Sequence, residues 1–122
     1  RNINENYHKY LVSFINSKKK IKKNSKILIL GASYKEDCND LRNSKSLELS
    51  ELLSKRSNVS IYDPYINKIK NYNFINKPKK RYYDFMLITV HHSNFYNKKV
   101  FLYKNCIKEG GLIYDIREAK FI

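Results

Sequence analysis

Three cations follow apolar runs closely enough to act together. Lys35 and Arg42 bracket the polar stretch after the apolar residues 27–30, and Arg117 stands just past the apolar residues 112–114. A guanidinium can bond two phosphate oxygens at once, and an ammonium acts as a compact point charge, so three such groups on one edge would suit a diphosphate. Simpler pairings remain open on the residues alone. Arg42 has Asp37 and Asp40 nearby, Arg117 has Asp115 and Glu118, and Lys35 fits a solvated loop lysine. Surface pairs of that kind contribute little, so convergence depends on the elements that carry the three side chains.

Those elements are readable from periodicity. Ile3, Tyr7, Tyr10, Leu11, Phe14 and Ile15 recur at spacings of three and four, which predicts a helix with one apolar face. The lysine-rich residues 18–24 have no period and fit an exposed helix end and connector. Ile27, Leu28, Ile29 and Leu30 are continuously apolar up to Gly31, the pattern of a strand buried on both faces in a parallel sheet. Ser44 suits the N-cap of a second helix, with Glu48 near its start and Leu49, Leu52 and Leu53 on one side. Val59 to Tyr62 read as a second strand stopped by Asp63-Pro64, and residues 67–80 as a polar excursion with room for one brief helix or strand. Residues 85–90 form a third buried-type strand, residues 95–107 are weakly helical, and residues 112–114 make a last strand after a Gly110-Gly111 turn.

Strands alternating with helical segments predict an α/β fold, a Rossmann-like three-layer sandwich with a mainly parallel sheet, preceded by an N-terminal helix. Ligands of such sheets sit beyond the C-terminal strand ends, which directs attention to residues 33–42, 63–65, 91–94 and 115–117. A length of 122 residues suits one core. The formal charge of +14 suggests an anionic partner, but Lys, Asn and Ile are abundant throughout while Gly, Ala, Pro and Trp are scarce. A general compositional bias therefore explains much of the charge, and nucleic-acid binding ranks below a phosphate ligand. Cys38 and Cys106 form neither a disulfide framework nor a zinc pattern, so no metal site is expected. No apolar run is long enough to span a bilayer, and a cytoplasmic location is expected.

Several motifs then resemble one family. Lys26-Ile27-Leu28-Ile29-Leu30-Gly31-Ala32-Ser33-Tyr34-Lys35, followed by Asn39-Asp40-Leu41-Arg42-Asn43-Ser44, is similar to the G-x-x-Y-K and D-D-x-R-x-S-P signature opening the C-terminal domain of the UDP-glucose/GDP-mannose dehydrogenases. Ser60-Ile61-Tyr62-Asp63-Pro64-Tyr65 resembles the next strand and its D-P-Y turn, and Ile113-Tyr114-Asp115-Ile116-Arg117 the closing I-V-D-x-R strand. Arg1, Ile3, Asn4 and Tyr10-Leu11-Val12 resemble the helix preceding that domain. Tyr83-Asp84 and His92-Ser93-Asn94-Phe95 look most like members that oxidise UDP-N-acetylhexosamines at C6; His92 itself is read as a structural strand-end histidine with no chemistry assigned.

The resemblance implies an enzyme that takes an alcohol to a carboxylate in two NAD-dependent oxidations through a cysteine nucleophile. It places Tyr34, Lys35 and Arg117 at the UDP-sugar and turns Arg42 toward NAD. It implies residues 1–24 as the tail of a central-domain linker helix with a basic connector, and residues 25–122 as the sugar-nucleotide domain. It also implies an N-terminal NAD domain, a central dimerisation domain and a homodimer. No catalytic residue is assigned within these 122 residues, and the fragment alone is expected to be inactive. Gly31 lacks the second and third glycines of a dinucleotide fingerprint, and Cys38 occupies no position of the family nucleophile. Three departures stand out: Lys45 replaces a proline after Ser44, Asn39 replaces an acid, and Arg56 stands where a glycine usually ends the helix. The turn into the second strand then needs another device, for which a left-handed Asn58 is one solution. The competing function is a free-standing basic nucleotide- or nucleic-acid-binding domain without catalysis.

Overall fold

A computed structural model describes residues 3–33, 36–39 and 44–122. The first element, α1 (Ile3–Lys18), precedes β1 (Lys26–Leu30), α2 (Lys45–Ser54), β2 (Asn58–Tyr62) and β3 (Tyr83–Ile88). A two-residue hairpin, β4 (Tyr96–Asn97) and β5 (Val100–Phe101), comes next, and the chain closes with β6 (Ile107–Asp115) and β7 (Lys120–Phe121). The sheet runs β2-β1-β3-β6-β7, its first four strands parallel and β7 antiparallel at the edge. The α/β, mainly parallel architecture with its leading helix is therefore as expected.

The central strands are apolar over residues 27–30 and 85–88, which are buried on both faces. Ile27 and Ile29 of β1 and Phe85 and Leu87 of β3 pack toward α1 and α2, while Leu28, Leu30, Met86 and Ile88 pack against the opposite layer. At about 1.5–3 kcal/mol for each large apolar side chain removed from water, this double-sided burial dominates the fold's stabilisation.

That opposite layer corrects the helix expected over residues 95–107. Two 3-10 turns, Ser93–Phe95 and Lys104–Cys106, flank the β4–β5 hairpin instead. Phe95, Phe101 and Cys106 are its buried anchors, and their spacings of six and five fit no helical face. The Gly110-Gly111 turn is also corrected. Both glycines lie inside β6, where the step from Tyr83 to Phe85 is matched by a step from Ile107 to Leu112, so the extra residues bulge out of the ladder.

In α1 the buried face is rotated from the expected one. His8, Leu11, Val12 and Ile15 face the core, whereas Tyr7 and Tyr10 are exposed. Phe14 lies on the flank, stacked on Tyr10 and close to Tyr114 and Phe121. Spacing alone admits both faces; the contact with α2, where His8 approaches Glu48, selects the first.

Ser44 caps α2 as predicted. Its Oγ accepts the Leu47 N–H at 3.3 Å and donates to the Ala32 carbonyl at 2.7 Å, joining the helix start to the end of β1. Replacing Ser44 by alanine is expected to cost about 1–2 kcal/mol in urea unfolding; an unchanged midpoint would mean that water replaces both bonds. The other end of α2 does not use a left-handed Asn58, which is an ordinary strand residue. The Leu53 carbonyl accepts the Arg56 and Ser57 N–H groups and the Ser57 hydroxyl instead, which removes the need for a glycine. The excursion after β2 returns at Phe74, which bridges Ile61.

Candidate functional site

Because β1, β2, β3 and β6 are parallel, the segments that follow them gather at one edge of the sheet. The chain goes from β1 outward to β2 and then crosses back to β3 on the other side of β1, so the order reverses at β1, the switch point beside which ligands of such sheets sit.

Asp63, immediately after β2, is the anchor of this edge. Its carboxylate is fully buried. Oδ2 accepts the Ala32 N–H at 2.7 Å, the Ser33 N–H at 3.2 Å and a bond from His92 Nε2 at 2.9 Å, while Oδ1 accepts the Tyr65 N–H at 2.8 Å. Burial alone would raise this carboxyl, but the bonds from His92, Ala32 and Tyr65 outweigh it and hold the group below the ordinary aspartate range.

A second tie joins the segments after β1 and β3. Asp37, in left-handed conformation at φ 55, gives its N–H to His92 Nδ1 at 2.8 Å. Its Oδ1 accepts the Ser93 N–H at 2.8 Å, the Ser93 hydroxyl at 3.0 Å and the Tyr65 hydroxyl at 3.3 Å. The Ser93 bonds, backbone first, hold the Asp37 carboxyl below its usual range.

Arg117 sits at the end of β6 and pairs with Glu36, not with Asp115 or Glu118. Asp115 is occupied otherwise: Oδ2 meets His91 Nε2 at 2.7 Å and Oδ1 accepts the Glu118 N–H at 3.0 Å. The Glu36 carboxyl is held below its usual value by its own backbone N–H first, with burial opposing and Arg117 adding to the lowering. The guanidinium stays half exposed, with donors left for an anion. Arg117 thus meets the residue next to Lys35 in sequence. The expectations for Tyr34, Lys35 and Arg42 fall on residues outside the described set.

The residues that sequence reasoning passes over are those holding the edge together. Asp63 reads in the sequence as a strand stop and part of a D-P-Y turn with no role of its own, and His92 only as structural. The available signal is an aspartate right after a strand, in a segment already expected to face ligand.

The family model for the UDP-glucose/GDP-mannose dehydrogenase family, UDP binding domain, matches residues 28–120. Protein CapL of Staphylococcus aureus is 30% identical, with 96% of this chain covering 30% of that protein. UDP-N-acetyl-D-glucosamine 6-dehydrogenase of Pseudomonas aeruginosa is 27% identical, with 76% of this chain covering 24% of it. Among solved structures, the UDP-N-acetyl-mannosamine dehydrogenase Cap5O of Staphylococcus aureus superposes with a TM-score of 0.67 at 21% identity over 94% of this chain and 32% of that one. The chain spans less than a third of the length of these relatives. With a family model that matches most of its residues and a fold shared with solved dehydrogenases, the chain belongs to the UDP-glucose/GDP-mannose dehydrogenase family and carries its UDP-binding domain.

Proposed function

We propose that the chain is the UDP-sugar-binding part of an NAD-dependent nucleotide-sugar 6-dehydrogenase, which oxidises a UDP-hexose or UDP-N-acetylhexosamine to the uronic acid for surface polysaccharide synthesis in the cytoplasm. The observation that carries this reading is the position of Arg117 just past β6 at the strand-end edge of a parallel sheet, paired with Glu36, the residue that follows Lys35 in sequence. In this reading Arg117 and Lys35 meet the diphosphate and Tyr34 lines the nucleotide pocket. A phosphate joins or displaces Glu36 on the guanidinium, since one planar fork serves two anions. Residues 1–24 are the linker-helix tail and connector, residues 25–122 the ligand domain, and the full-length enzyme is a homodimer.

NAD does not fit the glycine at the end of β1. A Cβ on Gly31 would lie 2.8 Å from the Val90 Cβ, so the space that glycine leaves is filled by the protein's own side chain, not left for a pyrophosphate. The cofactor is assigned to the NAD domain, and Arg42 is this chain's one contribution toward it.

Calorimetric titration of the chain with UDP, a UDP-sugar and inorganic pyrophosphate tests the assignment. Saturable binding that favours the uridine ligands is expected, and Arg117→Ala or Lys35→Ala should each weaken it about tenfold or more, the usual value of a charge-assisted bond. Binding that ignores the base and falls steeply with salt would favour the free-standing basic domain instead.

A further inference from the structure

The strand-end edge is organised around one imidazole. His92 is fully buried, and both of its ring nitrogens are engaged. Nδ1 accepts the Asp37 N–H at 2.8 Å, so the ring proton sits on Nε2, which faces Asp63 Oδ2 at 2.9 Å and Ser33 Oγ at 3.2 Å. Tyr65 and Phe95 pack against the ring at centroid distances of 4.9 and 5.4 Å and limit its tilt. Asp63 in turn holds the N–H groups of Ala32 and Ser33. One ring therefore ties together the start of the loop after β1, that loop again at Asp37, and the turn after β2. Glu36, the partner of Arg117, is the residue immediately before Asp37. None of Ala32, Ser33, Glu36 and Asp37 belongs to a strand or helix, so sheet pairing does not fix them.

A histidine that merely fills space would be indifferent to where its proton lies. This one works in one direction only, accepting at Nδ1 and donating at Nε2, and each nitrogen serves a different part of the same loop. We propose that His92 is a positioning residue for the UDP-sugar site: through Asp37 it sets the Glu36–Arg117 pair, and through Asp63 it sets the beginning of the loop, without itself touching ligand. This rests on the assignment of the strand-end edge as the diphosphate site.

Two substitutions separate the two bonds. His92→Asn places an acceptor near the Nδ1 position and loses the donor to Asp63, whereas His92→Gln reaches the Nε2 position with a donor and loses the acceptor for Asp37. Amide hydrogen exchange on the whole chain reads the loop directly. His92→Gln should speed exchange at Asp37 by about tenfold or more, and His92→Asn should do so at Ala32 and Ser33, with Leu28 and Met86 in the sheet unchanged. Both variants should weaken UDP binding by roughly tenfold, because a loosened Arg117 must be ordered when ligand arrives. Exchange accelerated equally at Leu28 and Met86 would mean a general loss of stability and would overturn the proposal. So would loop exchange like that of the unmodified protein, or UDP affinity unchanged in a variant whose loop exchanges fast. If the variants do not fold, the imidazole nitrogen NMR spectrum of the unmodified chain decides: protonated Nε2 with bare Nδ1 is expected, and the other tautomer removes the basis of the claim. If the unmodified chain binds no UDP, the ligand assignment falls, while the exchange pattern still decides whether His92 orders the loop.

Discussion

Replacing Asp63 by alanine is expected to remove about 3–5 kcal/mol of folding stability, because four donors lose a buried charged acceptor and each such bond contributes roughly 1.5–3 kcal/mol with incomplete additivity. The loss follows from what the carboxylate leaves behind. The N–H groups of Ala32, Ser33 and Tyr65 and the Nε2 side of His92 all point at its two oxygens, and the three backbone donors cannot turn to water without moving the chain. Asp63→Asn separates charge from shape. Its single oxygen serves either the three-donor side or Tyr65, and its amide then faces a donor on the other side, so a loss of about 1–3 kcal/mol is expected. The pH dependence carries a further sign. The folded carboxyl titrates below the unfolded value of about 4, so its stabilisation is complete above that pH and is lost as pH falls through the folded value. Urea midpoints measured from neutral pH down to acid should therefore fall more steeply in the unmodified chain than in Asp63→Asn. Equal slopes would show that another carboxylate carries the acid sensitivity, with Glu36 and Asp37, both also held below their usual ranges, as the groups to try next.

What is legible in the sequence follows from which interactions are local. Continuous apolar runs mark β1 and β3 because both faces of each strand are buried, a property of every residue in the run. The α2 cap is equally legible, since Ser44 acts on Leu47 three residues on. Residues 95–107 are not. Their anchors, Phe95, Phe101 and Cys106, follow the path of a hairpin turned by Lys98 and Lys99, both left-handed. Neither lysine carries the asparagine or glycine signal that such a turn usually shows. In α1 two overlapping faces satisfy the same spacing, and only tertiary packing against α2 and the sheet chooses between them.

The site divides in the same way. Arg117 is legible as a cation just past a strand, and its placement at the ligand edge needs only the parallel topology. Its partner is not legible, because Glu36 is remote in sequence and Asp115 and Glu118 offer nearer choices. Asp63 and His92 are hidden for a related reason. Their partners are backbone N–H groups about thirty and fifty-five residues away, and a backbone group leaves no mark in the composition of the chain.

Gly31→Ala is the other change expected to act strongly, at about 2–4 kcal/mol, through backbone strain and overpacking together. Gly31 has φ +100, a conformation that L side chains rarely adopt. An added Cβ would meet the Val90 Cβ at 2.8 Å, the Val90 N at 3.0 Å and the Thr89 Oγ1 at 3.1 Å, and two of these three atoms can move only with the backbone after β3. That backbone is itself pinned. Thr89 gives its N–H to Leu30 O and its hydroxyl to Gly31 O at 2.6 Å, and Gly31 gives its own N–H to Tyr62 O at 2.8 Å. The glycine thus lies where three strand ends meet, and relief of the clash must push the ends of β1 and β3 apart. The variant should therefore lose UDP affinity along with stability, and the affinity loss should persist at low temperature, where most of the chain is folded. A stable Gly31→Ala chain with unchanged UDP binding would show that the segment after β3 moves freely, and that the ligand edge is not set by this contact. The glycine that resembles the start of a dinucleotide fingerprint then has a different physical role, which is to let two parallel strands end in contact at the point where the sheet order reverses.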